Sequence, residues 1–155
     1  MTFNHLVLIG GGHTNVLLLN KWLMCPKLMP EIPVSIISRD SHLVYSAIFP
    51  SVLSKSITLE ESLIDIKSLA TNAKVSFIEE EVKDIDFNLR EIILSNRPPV
   101  NYSKLVLNYG SQTRIPKEFE SLVNNRNAFS IKPFLRAYDS IQKRTFLIQL
   151  INFHL

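Results

Sequence analysis

The sequence predicts an α/β fold built on a parallel sheet of about four strands, and three observations support this prediction. An apolar run at Leu6–Ile9 is followed by three consecutive glycines, and then by a helical pattern from His13 to Met24. A second apolar run lies at Val34–Ile37. Strand, glycine turn, helix and strand in this order are typical of a βαβ unit, whose two strands are parallel.

Glycine is scarce outside this turn. The chain has 155 residues and only four glycines, three of which are Gly10, Gly11 and Gly12. A chain of average composition and this length would contain about eleven. We therefore expect the glycine positions, including Gly110, to be places where no side chain fits.

Composition narrows the class of protein. Apolar residues make up 46% and charged residues 20%, which is typical of a globular domain. The net charge of +3 is too small to indicate a nucleic-acid partner. The single cysteine, Cys25, excludes an internal disulfide and a cysteine-based zinc cluster, and favours a reducing, cytoplasmic setting. The four histidines lack metal-ligand spacing, so we expect no metal site.

The two ends of the sequence carry no recognisable targeting segment. The first residues lack the basic region of a signal peptide. The last stretch, Thr145–Leu155, is strongly apolar but shorter than the ~20 residues that span a bilayer.

The remaining elements follow from patterning. Thr58–Glu61 matches a capping box and predicts the start of a second helix, after a long connection over residues 40–53. Alternating residues and the pair Pro98–Pro99 predict an antiparallel hairpin or three-stranded meander over Glu80–Tyr102. Further predictions are strands at Val75–Ile78 and Leu105–Leu107, a loop at Asn124–Asn127, a short strand at Phe129–Ile131, and a final helix from Pro133 through Gln142 or beyond.

The first turn fills two of the three positions of the dinucleotide-binding pattern GxGxxG. Gly10 permits the tight turn, and Gly12 would let a pyrophosphate approach the free N–H groups of the following helix. The third position, usually glycine or alanine, is Asn15. The alternative is a tight turn that binds nothing.

The second strand should end in an acid that binds the adenosine ribose. The residue at that place is the neutral Ser38, and Asp40 could substitute from two residues later. Arg39 could contact a phosphate or stack on adenine. The alternative for Arg39 and Asp40 is a solvated turn.

Three segments, HLVLIGGGHTNVLLLNKW, ISRDSHLVYSAIFP and NRPPVNYSKLVLNYGS, carry a resemblance to a known family. The chain resembles the N-terminal part of the FAD-dependent pyridine nucleotide-disulfide oxidoreductases, in the branch of type II NADH dehydrogenases and sulfide:quinone reductases. Within that branch it is most similar to the NADH-dehydrogenase-like domain fused to selenide, water dikinase. The likeness runs from His5 to Gln142 and implies a Rossmann-like FAD-binding domain with an antiparallel meander crossover, here incomplete.

The resemblance implies cofactor-binding residues and no catalytic or metal-binding ones. Residues of the first turn would hold the FAD pyrophosphate, those after the second strand would lie beside the adenosine, and the backbone of Val82 would face the adenine. Ser46 belongs to a loop that would approach the isoalloxazine, although the selenide branch has glycine where this chain has Ala47; Tyr45 and Phe49 there could instead be buried anchors. The complete set is Gly10, Gly12, His13, Asn15, Ser38, Arg39, Asp40, Ser46, Val82, Gly110 and Ser111.

The function that the resemblance implies is the FAD-binding portion of an NAD(P)H-dependent oxidoreductase, which passes hydride through FAD to an unknown acceptor. NAD(P)H would bind only through a second domain whose glycine turn is absent, because no glycine follows Gly110. We therefore expect a truncated chain that is inactive alone. The alternatives are an inactive remnant without flavin and a small interaction protein.

The expected division is a partial FAD/NAD(P)-binding domain over residues 1–142 and an apolar tail over residues 143–155. The tail lies outside the family pattern. Its expected partners are a complementary domain or a second copy of the chain, with a membrane surface as a further option.

Overall fold

The computed structural model describes residues 4–110, 115–124, 132 and 134–152. These residues belong to two compact units. The first comprises Met1–Tyr45 and Leu63–Gly110, and the second comprises Ser46–Ser62 and Ser111–Leu155. In chain order the elements are β1 (Leu6–Ile9), α1 (His13–Met24), β2 (Val34–Ser38), β3 (His42–Val44), α2 (Phe49–Leu53), β4 (Leu63–Asp65), α3 (Ile66–Asn72), β5 (Ser76–Glu79), β6 (Val82–Asp86), β7 (Glu91–Leu94), β8 (Val100–Asn101), β9 (Lys104–Leu107), α4 (Glu120–Asn124) and α5 (Phe134–Asn152).

The first unit is built on a four-stranded parallel sheet with the order β5-β2-β1-β9. Every residue of β1 and β2 is buried, as the two continuous apolar runs predict for strands covered on both faces. The predicted α/β fold with a βαβ start is confirmed. The strand order reverses at β1, because the chain continues from β1 to β2 on one side and reaches β9 on the other.

Each face of the sheet has its own core, because successive side chains of a strand point to opposite faces. Leu6 and Leu8 pack with residues of α1 and α3, including Leu19 and Ile66. Val7 and Ile9 pack on the other face with residues of the meander. The sheet therefore lies between two helices and a second, smaller sheet.

The second sheet is the predicted antiparallel meander, with the order β6-β7-β8. Ile92 and Leu94 of β7 are buried against the parallel sheet. Pro98 and Pro99 lie in the connection before β8, where no ladder hydrogen bond is required of them.

Two predictions for residues 40–72 are wrong. The connection predicted for residues 40–53 contains β3, which pairs antiparallel with β4, and α2. The capping box forms, since the Thr58 N–H donates to Glu61 at 2.7 Å and the Glu61 N–H donates to the Thr58 hydroxyl at 3.2 Å, but it opens only a 3-10 turn at Glu60–Ser62. The helix begins instead at Ile66, where Asp65 caps it by accepting the Ser68 N–H at 2.8 Å.

The second unit contains α2, α4 and α5. The rings of Phe49 and Phe134 pack with centroids 4.7 Å apart. Helix α5 runs without interruption past Gln142, as predicted. The predicted strand at Phe129–Ile131 and residues 125–127 of the predicted loop lie outside the described residues. None of the described helices combines the length and the apolar character needed to cross a bilayer.

Candidate functional site

Parallel pairing brings the carboxyl ends of four strands to one edge of the sheet. The residues that follow β1, β2, β5 and β9 are the glycine turn, Arg39–Asp40, Glu80–Glu81 and Asn108–Gly110. In open α/β sheets, ligands bind at this edge where the strand order reverses. In this chain that position lies between β1 and β9, and the candidate site is therefore the glycine turn and the end of β9.

The glycine turn is in close contact with the end of β9. Gly10 has φ +88°, and a Cβ atom there would lie 2.3 Å from the Cα of Tyr109. A Cβ atom on Gly12 would lie 2.3 Å from the carbonyl oxygen of Asn108. The expectation that no side chain fits is confirmed at these two positions, and the neighbour that excludes it belongs to the chain itself. It is wrong at Gly110, where a Cβ atom would meet nothing within 4 Å and only the positive φ of +80° favours glycine.

Asn108 accepts hydrogen bonds from three N–H groups at the start of α1. Its carbonyl oxygen accepts the Gly12 N–H at 2.9 Å. Its side-chain Oδ1 accepts the N–H groups of Thr14 at 3.0 Å and Asn15 at 3.3 Å. Within the described part of the chain, the N–H groups of Gly11 and His13 have no hydrogen-bond acceptor. These two donors are available to an anion at the positive end of the helix dipole.

The hydrogen bonds of the Asn15 side chain explain why the third position of the GxGxxG pattern is not glycine or alanine in this chain. Its side chain is fully buried, and Nδ2 donates to the carbonyl oxygens of Gly10 at 2.8 Å and Ile9 at 3.3 Å. Those carbonyls end β1, and a glycine or alanine would leave them without this donor. The Oδ1 atom of Asn15 is buried and has no hydrogen-bond partner among the described residues.

The predicted adenosine side of the site lies after β2. The Ser38 side chain is buried, and its hydroxyl donates to the carbonyl oxygen of Asp40 at 2.9 Å. The exposed Arg39 guanidinium contacts the Asp40 carboxylate at 3.0 Å. This hydrogen bond, together with the charge of Asp40, raises the pKa of Arg39 above its ordinary value. An exposed pair of this kind contributes at most about 1 kcal/mol, so either partner can exchange its contact for one to a ligand.

An aromatic pair stands beside the free donors of the turn. The imidazole of His13, the first residue of α1, stacks on the ring of Tyr45 with centroids 5.3 Å apart and an interplanar angle of 15°. Tyr45 directly follows β3. The stack holds an imidazole at the start of the helix, next to the N–H group of the same residue.

The structure brings only some of the predicted residues together. Gly10, Gly12, His13 and Asn15 form the turn, and a Cβ on Gly11 would lie 3.2 Å from the Ser38 hydroxyl, which places Ser38 beside it. Arg39 and Asp40 directly follow Ser38, and the remaining four predicted residues lie elsewhere in the sequence. Val82 begins β6, and Ser46 begins a 3-10 turn of the second unit. Gly110 has φ +80°, and no atom lies within 4 Å of a Cβ atom placed on it. Ser111 is not among the described residues.

Among the described residues, no group of three or more histidine, cysteine, aspartate or glutamate side chains could hold a metal ion.

Sequence reasoning missed Asn108. One signal was available, because a short polar residue directly after a buried parallel strand lies at the ligand-binding edge. Its contact with Gly12 required knowing that β9 lies next to β1.

Comparison with solved structures finds similar folds in three oxidoreductases. The sulfide:quinone oxidoreductase of the hyperthermophilic bacterium Aquifex aeolicus is similar with a TM-score of 0.75 and 22% identity over 94% of this chain and 32% of that one. NDH2 from Plasmodium falciparum, solved in complex with NADH, is similar with a TM-score of 0.59 and 16% identity over 72% of this chain and 23% of that one. The water-forming NADH oxidase of Lactobacillus brevis, bound to NADH, is similar with a TM-score of 0.55 and 15% identity over 80% of this chain and 32% of that one.

These likenesses establish a Rossmann-like α/β fold. The chain spans about a third or less of the length of each neighbour. No protein-family model and no curated protein matches the sequence.

Proposed function

We propose that this chain binds FAD at the carboxyl edge of its parallel sheet, as the flavin-binding portion of an NAD(P)H-dependent oxidoreductase. The observation that carries the proposal is the glycine turn at the point of strand-order reversal, where the N–H groups of Gly11 and His13 stand free at the start of α1. The similarity in fold to oxidoreductases solved with NADH supports it.

The residues of the turn fit one phosphate group. The two free N–H groups and the imidazole of His13 provide donors, and the helix dipole favours a negative charge at this end. Arg39 adds a cation at the same edge of the sheet. These residues would hold the pyrophosphate, while Ser38, Asp40 and Val82 would lie on the adenosine side.

FAD supplies the hydride acceptor in this function, and the chain supplies binding and orientation. We assign no acid or base to the described residues. The nicotinamide would be contributed by a complementary domain, because this sequence contains no glycine turn after Gly110. The motifs that resemble the NADH-dehydrogenase-like domain fused to selenide, water dikinase support a place in that branch.

The experiment that tests this proposal is a titration with three probes. We expect FAD and ADP to bind saturably and to compete with each other, because they share the adenine, the ribose and the pyrophosphate. Riboflavin, which lacks all three, should bind much more weakly. Binding can be followed by flavin fluorescence and calorimetry. Absence of saturable FAD binding, or riboflavin binding equal to that of FAD, would overturn the proposal.

A further inference from the structure

Asn108 stands at the point where the strand order of the sheet reverses, as the first residue after β9. Both polar groups of the Asn108 backbone make hydrogen bonds. The Asn108 N–H donates to the carbonyl oxygen of Ile9 at 2.7 Å, and its carbonyl oxygen accepts the Gly12 N–H at 2.9 Å. These two bonds hold the residue against the start of α1.

The side chain of Asn108 acts as the cap of a helix to which it does not belong. The residue at the N-cap position of α1 is Gly12, which has no side chain to offer. N-cap side chains ordinarily accept the N–H groups of the second or third helical residue. In α1 these residues are Thr14 and Asn15, and both donate to Oδ1 of Asn108.

The capped N–H groups are of the kind that a phosphate oxygen accepts at a helix start. Asn108 therefore holds an uncharged acceptor where an anion would otherwise bind. We propose that Asn108 sets the phosphate affinity of the glycine turn by competing with the ligand for the N–H groups of Thr14 and Asn15. This inference rests on the proposed function, because it assigns a specificity-determining residue to the same site.

Two substitutions separate this role from a purely structural one. Asn108→Ala removes the acceptor and frees two donors for the ligand, while it also removes the cap of α1. Asn108→Asp keeps the shape and the cap and adds a negative charge. Among the described residues Nδ2 of Asn108 makes no hydrogen bond, so its replacement removes none there. A carboxylate at a helix start is favourable for the fold and unfavourable for a second anion.

The proposal therefore predicts opposite orders for phosphate affinity and stability. Affinity should rise in the order Asn108→Asp, wild type, Asn108→Ala. Thermal stability should fall along the same series. A residue that only supported the shape of the turn would give affinity and stability the same order, since a loosened turn would bind less tightly.

The experiment titrates each full-length variant with inorganic pyrophosphate at low ionic strength and follows the amide resonances of Gly11, His13, Thr14 and Asn15. We expect Asn108→Ala to bind about tenfold more tightly than wild type, the ratio that about 1.4 kcal/mol gives. We expect Asn108→Asp to bind at least about tenfold more weakly. Equal affinities, weaker binding by Asn108→Ala, or no binding by any variant would overturn the proposal.

If Asn108→Ala fails to fold, the comparison of Asn108→Asp with wild type decides the test, because Asn108→Asp keeps the cap of α1. A parallel titration with FAD separates this proposal from the proposed function. If the variants show the predicted order of pyrophosphate affinities but none binds FAD, the FAD function would be refuted and the role of Asn108 would be supported. If the FAD affinity is the same in all variants, and the pyrophosphate affinity is also the same in all variants, the FAD function would be supported and the role of Asn108 would be refuted.

Discussion

A Cβ atom on Gly12 would lie 2.3 Å from the carbonyl oxygen of Asn108, which is backbone and cannot rotate away. A Cβ atom on Gly11 would meet the Cδ1 atom of Ile66 at 2.1 Å, which is the end of a side chain. Adjacent glycines therefore differ in what a substitution would displace. The glycine at position 12 serves the fold of the chain as well as any ligand.

Gly12→Ala should destabilise the protein more than its matched control, Gly11→Ala. The first change forces apart the turn and the end of β9, and overpacking of this kind costs about 1–3 kcal/mol. The second displaces only side-chain atoms, namely the end of the buried Ile66 and the Ser38 hydroxyl, which can adjust more easily than backbone. The free energies of unfolding in urea measure the difference. Equal stability of the two variants would show that the turn and β9 are not held together as described.

His5 ties the start of β1 to two other strands. Its Nδ1 lies 2.9 Å from the carbonyl oxygen of Asn101, and its Nε2 lies 3.0 Å from the hydroxyl of Ser35. Because a carbonyl only accepts, Nδ1 donates to the carbonyl oxygen of Asn101.

His5→Ala should lower the free energy of unfolding by about 1–3 kcal/mol, the cost of leaving partly buried partners unpaired. It should leave FAD affinity unchanged, because His5 precedes β1 and the site follows it. The control is His42→Ala, an exposed histidine, which should change stability by less than about 0.5 kcal/mol. Denaturant unfolding and FAD titration test both expectations. A loss of FAD affinity in His5→Ala at full stability would contradict the placement of the site.

Asp65 makes the stability of the first unit depend on pH. Hydrogen bonds from the hydroxyl and then the N–H of Ser68 hold the pKa of Asp65 below its usual value of 3.8. A carboxyl group whose pKa is lowered by folding stabilises the protein above its unfolded pKa, and this contribution is lost as pH falls through the folded pKa.

Asp65→Ala should therefore have a lower Tm than wild type at neutral pH. The difference should shrink as the pH falls below 3.8, to the part that an uncharged carboxyl keeps by accepting the Ser68 N–H. Asp65→Asn keeps an acceptor for the Ser68 N–H and should show a difference from wild type of lesser size at neutral pH. Melting curves from neutral to acid pH check this. A deficit of Asp65→Ala that stays constant with pH would exclude the carboxylate as its cause.

The parts of the fold that the sequence predicted correctly have local signatures. Continuous apolar runs marked β1 and β2, and alternation with Pro98–Pro99 marked the meander. Strands β3 and β4 have three residues each, too few for a period, and they form because they pair with one another. The start of α3 was misplaced because Thr58 and Asp65 both offer caps, and the pairing of β4 leaves only the second for the helix.

In the candidate site, as in the fold, the features with a local sequence pattern could be predicted and the contacts between distant segments could not. The glycine turn has a sequence pattern, whereas the cap from Asn108 joins residues 94 positions apart, Asn108 and Thr14. Such a contact follows from the order of the strands, which the pattern of any one segment does not contain. The role of Asn15 was hidden for a related reason, because its partners are backbone carbonyls at the end of β1.

A negative charge at His13 is the most direct test of whether the start of α1 binds the pyrophosphate of FAD. His13→Glu places a carboxylate beside the free N–H groups, which suits the helix dipole but repels a pyrophosphate. His13→Gln is the neutral control. In fluorescence titrations with FAD, we expect wild type and His13→Gln to bind within a few-fold of each other. We expect His13→Glu to bind at least about tenfold more weakly, given the cost of like charges in contact, at unchanged or higher Tm. FAD binding by His13→Glu as tight as that of wild type, or no saturable binding by wild type, would contradict the account.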